Sequence, residues 1–288
     1  MFPSQFTYHR VASVAEAVEL LNGIEGAKLL AGGHSLLPMM KLRVASPPTL
    51  VDIGQVAELK GVSADGDGVR IGALTTHAEI AGAALGQERA PVLAEAASRV
   101  GDPAVRNRGT IGGNVAHGDP QSDLPTVLTA LGATINAAGQ NGERSVAAAD
   151  FFTGLLENAL DDGEIVTSVS VPGVASGAGT AYVKFSHPAS RYSVVGAAAI
   201  VSVANGVCSS ASVVVGGVES TPTRAASVEA ALAGSGVGAD ALAAAASAVS
   251  GDFQGDAMGD VYASSEYRQA MAGVYVRRAL EAAVARAG

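Results

Sequence analysis

Two segments about eighty residues apart constrain the chain most. In Leu29-Leu30-Ala31-Gly32-Gly33-His34-Ser35-Leu36-Leu37-Pro38 an apolar run stops at two glycines, passes a small polar pair and resumes as an apolar segment. This reads as a buried strand ending in a turn where the missing Cβ lets the backbone approach something closely. Gly109-Thr110-Ile111-Gly112-Gly113-Asn114 repeats the grammar. Successive main-chain N–H groups in such turns form concave donor sites for anionic oxygens, and Ser, Thr and Asn add further donors. Two such loops are expected to grip the two phosphates of a dinucleotide; the plainer reading is two tight turns.

The chain around these loops mixes helix and strand. Ser13 followed by Glu16 predicts a capping box opening a helix that Asn22-Gly23 closes, and Lys28 to Ala31 is the strand that delivers the first loop. Leu36 to Arg43 reads as helical or irregular, Thr49 to Ile53 as a second strand. The first loop thus lies at the carboxyl end of a strand, where α/β folds usually bind ligands. Val69 to Ala73 is a strand, Thr75 to Ile80 a Thr-capped helix and Pro91 to Val100 another helix, and Asp102 to Arg108 is a turn into the second loop. A polar stretch from His117 leads to a helix over Pro125 to Leu131, with Asp123 either its N-cap or a ligand contact. Strands follow at Ala133 to Ala137 and Glu164 to Val171, and a glycine- and serine-rich break over Pro172 to Gly179 marks the domain boundary. Beyond it come strands at Thr180 to Ser186, Val194 to Ala204 and Val207 to Gly216, with Asn205-Gly206 as a hairpin turn, then helices over Ser227 to Ala233, Asp240 to Val249 and Ser265 to Ala287.

Composition removes several function classes. At 288 residues the chain suits two domains or one elaborated domain, and 48% apolar residues without Trp imply a core of Ala, Val and Leu. A net charge of −9 with no Lys/Arg run argues against a nucleic-acid or anionic-membrane surface. The lone Cys208, expected to be buried, excludes an internal disulfide, a cysteine-ligated iron–sulfur cluster and a thiolate zinc site in this chain. No Rossmann fingerprint, P-loop, His-Glu-x-x-His or Gly-x-Ser-x-Gly is present, so neither a catalytic residue nor a metal ligand is assigned. No run of about 18 apolar residues spans a membrane, and the N-terminus lacks a signal pattern, so the expected location is cytoplasmic, or peripheral through a partner.

Ala31-Gly32-Gly33-His34-Ser35-Leu36-Leu37-Pro38-Met39-Met40-Lys41-Leu42-Arg43, taken with Thr110-Ile111-Gly112-Gly113-Asn114, resembles the flavin subunits of the xanthine dehydrogenase family. Within that family it is similar to the FAD-binding medium subunits of aerobic molybdenum-containing carbon monoxide dehydrogenase. The resemblance covers nearly the whole chain. It implies an α+β fold: a two-subdomain FAD-binding domain of the vanillyl-alcohol-oxidase (PCMH) type over 1–176, with subdomains of about 1–58 and 59–176, and a C-terminal domain of antiparallel sheet and helices over 177–288.

Carried over by residue, the resemblance implies that Leu30, Ala31, Gly32, Gly33, His34, Ser35 and Leu36 with Thr110, Ile111, Gly112, Gly113 and Asn114 hold the FAD pyrophosphate and nearby atoms. Asp123 matches a carboxylate on the adenosine side, Lys184 a lysine near the flavin ring and Ile165 a position whose backbone meets the ring, while Tyr192 lies over the ring or packs as an ordinary strand residue. Non-covalent FAD is expected, since neither loop offers a clear attachment residue, although His34 and His117 are formally available.

The implied role is electron exit. An iron–sulfur small subunit and a molybdenum large subunit, in a dimer of heterotrimers, would oxidise CO to CO2 at a molybdenum–copper centre. Their [2Fe-2S] clusters would feed this FAD, which passes electrons to a quinone or other acceptor; the chain alone would be inert to CO. Two alternatives stay open: a flavin subunit of another molybdenum hydroxylase, acting on a purine, nicotinate or an aromatic acyl-CoA, and a non-catalytic assembly subunit without flavin.

Overall fold

The computed structural model describes residues 1–288 and has an α+β architecture of three main sheets. The N-terminal sheet is parallel, with Thr49–Asp52 between Thr7–Arg10 and Lys28–Leu30. The central sheet is antiparallel, in the order Val62–Asp65, Gly68–Gly72, Ile165–Val171, Thr134–Gly139, Gly142–Ala147. The C-terminal sheet is also antiparallel: Gly179–Ser186, Ser193–Ala204, Val207–Gly216 and Thr223–Arg224. Val171 ends the central sheet and Gly179 begins the last one.

Local chemistry fixes the helices that position the cleft. Thr76 and Glu79 form a reciprocal capping box on His77–Gly82: Thr76 Oγ1 accepts from Glu79 N at 3.2 Å and Glu79 Oε2 from Thr76 N at 2.7 Å. Ser13 caps Val14–Gly23 in the same sense, accepting from Glu16 N, but the returning Glu16 carboxylate takes Ala12 N instead of the cap's own N–H. Asp102 Oδ1 accepts from Val105 N, so the expected turn before the second glycine segment is a capped helical turn, Pro103–Arg106.

Packing ties the units together. The N-terminal core holds only nine buried apolar residues, two of which, Leu74 and Ile165, come from the central unit, so the parallel sheet leans on its neighbour. Period-2 alternation splits the strand Ser193–Ala204 between two cores. Ala198, with Tyr182 and Val214, joins the central core that contains Leu124, Val127 and Leu128 of the helix Asp123–Ala130. Ala197, Ala199 and Val201 face the C-terminal core with Ala272, Val276 and Leu280 of the helix Ser265–Val284. The C-terminal sheet is thereby covered on both faces, and Cys208 is buried in it.

Candidate functional site

A cleft of about 1130 Å³ lies where the three sheets meet. Its first wall follows directly from the strand Lys28–Leu30. The main-chain N–H groups of Gly32, Gly33, His34, Ser35 and Leu36 have no acceptor in the protein; the loop's polar contact is His34 Nδ1 to the Gly32 carbonyl at 3.1 Å. Gly33 adopts φ 74°, which glycine alone takes without cost. Gly32 is small for another reason, because a Cβ there would overlap the Arg108 carbonyl oxygen. Five successive free donors at the mouth of a parallel strand form an anion cradle.

The second wall has the same sequence grammar but a different structure. Thr110 caps a helix over Ile111–His117, its Oγ1 accepting from Gly113 N at 3.2 Å. Ile111 N donates to Thr75 O at 3.0 Å, Gly112 N to Ala73 O at 2.9 Å and Asn114 N to Thr110 O at 3.0 Å. The expected turn of free donors is therefore corrected to a helical first turn whose N–H groups are already engaged. Gly112 lets this turn lie on the central sheet, since its Cβ would sit 2.5 Å from that of Ala73. Gly113 is exposed toward the cleft, with Thr110 Oγ1 its one close neighbour. Asn114 Nδ2 donates to Ser122 Oγ at 3.0 Å, which leaves Asn114 Oδ1 buried without a partner.

Asp123 does not act as an N-cap: Ser122 occupies that position, and Asp123 is the first residue of the helix Asp123–Ala130. Its Oδ1 accepts from the Tyr182 hydroxyl at 2.6 Å and its Oδ2 from Lys184 Nζ at 2.8 Å, both side chains of the ion pair being 4% exposed. Burial pushes the Asp123 carboxyl above the ordinary range, and the Lys184 ammonium pulls against it. The Tyr182 hydroxyl is raised well above its ordinary value by complete burial and then by the Asp123 charge.

Asp123, Ile165 and Tyr192 line the cleft together with Ala31 to Leu36, Thr110, Gly112, Gly113 and Asn114. Tyr192 is pushed up to about 12 by burial and by the charges of Asp119 and Asp123, with the Ser35 hydroxyl acting in the opposite direction. Three of the expected residues stand back from the cleft. Leu30 is half-buried in its strand, Ile111 is fully buried in the central core, and Lys184 sits behind Asp123.

The structure adds residues that sequence reasoning passed over. His77, read only as part of a helix start, lines the cleft with its Nδ1 buried and unpartnered, and burial, His34 and Arg106 bring it down to about 4. Asn158 also lines the cleft and donates to Ala116 O at 2.8 Å. Asn22, in the lining too, reaches Gly163 O at 3.3 Å, a contact across 141 residues that carries no sequence signal. No three His, Cys, Asp or Glu side chains converge as a metal site.

A cleft of this size, lined by an anion cradle and an unpaired amide oxygen, fits an FAD molecule, and the fold around it defines a flavoprotein. Residues 4–174 match the family model of the FAD-binding domain in molybdopterin dehydrogenase, and residues 180–283 match that of the CO dehydrogenase flavoprotein C-terminal domain. The chain belongs to this family of molybdopterin dehydrogenase flavoproteins. It is 39% identical to the carbon monoxide dehydrogenase medium chain of Afipia carboxidovorans, over 100% of this chain and 99% of the relative. It is 38% identical to the glyceraldehyde dehydrogenase medium chain of Sulfolobus acidocaldarius, over 98% of this chain and 99% of the relative. Among solved structures, a chain of carbon monoxide dehydrogenase from Hydrogenophaga pseudoflava superposes with a TM-score of 0.96 at 42% identity, over 100% of both chains. No helix is long and apolar enough to cross a membrane.

Proposed function

We propose that this chain is the FAD-carrying electron-transfer subunit of an aerobic carbon monoxide dehydrogenase. The observation that carries the reading is the run of five unpartnered N–H groups over Gly32–Leu36, facing a cleft that continues to Ile165 and Tyr192. When bound, FAD supplies the two-electron redox chemistry that no side chain here provides.

The chain's own residues bind and orient. Gly32 to Leu36 donate to the diphosphate, Gly113 leaves room beside it, and Asn114 Oδ1 accepts a ligand hydrogen. Asp123 contacts the cofactor while Lys184 and Tyr182 hold its carboxylate in place, so Lys184 acts through Asp123. Ile165 and Tyr192 take the ring-facing positions, and the cofactor is non-covalent. Residues 1–176 carry the cofactor, and residues 177–288 close the cleft with Tyr192. Partner subunits in a cytoplasmic assembly, one with [2Fe-2S] clusters and one with a molybdenum–copper centre, deliver the electrons, and a quinone or similar acceptor removes them.

A second reading has its own observation: the identity to a glyceraldehyde dehydrogenase medium chain is almost the same as that to a carbon monoxide dehydrogenase medium chain. The flavin subunit is therefore compatible with a different molybdenum partner, and the assembled enzyme decides. Acid precipitation of the purified chain should release yellow FAD into the supernatant, and the lone chain should be reducible by dithionite and inert to CO. In the assembly, CO should bleach the flavin absorbance. Bleaching by an aldehyde with none by CO selects the second reading; a substrate that bleaches the partner's clusters but never this flavin removes the electron-relay role.

A further inference from the structure

Tyr192 reaches the cleft from outside the FAD-binding domain, at the end of a turn joining two strands of the C-terminal sheet. The turn, His187 to Tyr192, is exposed over Pro188 to Arg191, yet its main chain is closely tied. His187 N donates to Tyr192 O at 2.8 Å and Arg191 N to His187 O at 2.9 Å. Arg191 is held at φ 60°, an uncommon conformation for a side chain of its size. Its carbonyl accepts from Lys184 Nζ at 2.7 Å, the same ammonium that pairs with Asp123.

Tyr192 N also donates to Ser190 Oγ at 3.3 Å, and the ties at the tip converge on one imidazole. His187 Nδ1 accepts from Ala189 N at 3.2 Å and from Ser190 N at 3.3 Å, and the ring is fixed edge-to-face on Tyr262 with centroids 4.5 Å apart. Tyr262 in turn is anchored by its N–H to Asp260 Oδ1 at 2.8 Å. Without this acceptor, the two successive N–H groups of Ala189 and Ser190 at the tip of the turn would face only water.

We propose that His187 is a positioning residue for Tyr192: its Nδ1, accepting from Ala189 N and Ser190 N, shapes the turn that presents the Tyr192 ring to the cleft between Ser35 and Asp123. The inference rests on the reading of this cleft as the FAD site, and it makes FAD retention depend on a residue that touches neither the cofactor nor the cleft. Lys184 fixes the base of the turn and His187 its tip.

The test compares His187→Ala with His187→Asn in the full chain. Asparagine places a carbonyl oxygen where Nδ1 stands and restores the acceptor; alanine does not. Amide hydrogen exchange over residues 187–192, read without FAD, should accelerate about tenfold in the alanine variant, the change that losing one or two ordinary hydrogen bonds brings, and the asparagine variant should return to within about twofold of wild type. FAD affinity should follow the same pattern, with the thermal midpoint unmoved in both variants. Wild-type exchange in the alanine variant overturns the proposal, as does an asparagine variant as loose as the alanine one. A wild-type chain that fails to bind FAD refutes the cofactor reading, and the exchange measurement still decides the role of His187.

Discussion

The two glycine segments look alike in sequence and differ in what their backbones offer. Over Gly32–Leu36 five N–H groups are free, and one glycine, Gly33, sits at positive φ. Over Ile111–Asn114 every N–H has an acceptor at Thr75, Ala73 or Thr110. The first segment is a donor cradle. The second is a packing element, in which Gly112 permits contact with the sheet and Gly113 clears space beside the cradle. Their backbones approach closely where Gly32 meets Arg108 and Gly109, so the open loop is positioned by the packed one. The pair teaches that glycines in one motif can be needed for opposite reasons, close packing or an open face.

Glycine substitutions in the two segments should therefore have unlike effects. The largest is Gly112→Val: with Ala73 Cβ 2.5 Å from the added Cβ, we expect more than ~3 kcal/mol of destabilisation, seen as loss of soluble folded chain by circular dichroism. A folded Gly112→Val chain that only loses FAD would break the contrast.

The next effect is one of pH on the same packed segment. His77 carries Gly109 against its ring and is buried with a value of about 4 against 6.5 ordinarily. The unfolded chain takes up this proton as pH falls below 6.5 and the folded chain only near 4, so stability is complete above 6.5 and falls by ~3 kcal/mol across that window. Denaturant unfolding between those pH values should show a shallower pH slope in His77→Gln than in wild type; equal slopes would remove His77 from the account.

Gly33→Val strikes the cradle instead. Positive φ and contact with Leu37 strain the loop locally, and FAD affinity should fall about 100-fold while the fold survives. Titration of the apo chain with FAD measures this, and unchanged affinity would deny the cradle its role. The smallest effect is Thr110→Val, which removes the cap on Gly113 N and should cost ~1 kcal/mol in thermal unfolding. FAD binding should be nearly retained, since the free donors over Gly32–Leu36 are untouched.

What the sequence made legible is what local chemistry decides. The Thr76–Glu79 cap, the long C-terminal strands and the Asn205-Gly206 turn, both residues at positive φ, are readable because neighbouring residues settle them. Strands such as Thr7–Arg10 and Gly142–Ala147 were not, since they are mostly exposed edge strands without an apolar face, ordered by pairing with a buried neighbour. In the site, the residue types were legible but their hydrogen bonds were not. Thr110 reads as one more donor, and its Oγ1 also accepts from Gly113 N; Asp123 reads as a cap or a ligand contact, and its partners Tyr182 and Lys184 lie 59 and 61 residues away.

Amide hydrogen exchange of the whole chain, with and without FAD, tests the central claim most directly. Before FAD is added, Gly32 to Leu36 should exchange rapidly and Ile111 to Asn114 slowly; on binding, the first group should become protected while the second changes little. Protection over Gly32 to Leu36 before FAD arrives, or none after it binds, would contradict the assignment of that loop as the diphosphate cradle.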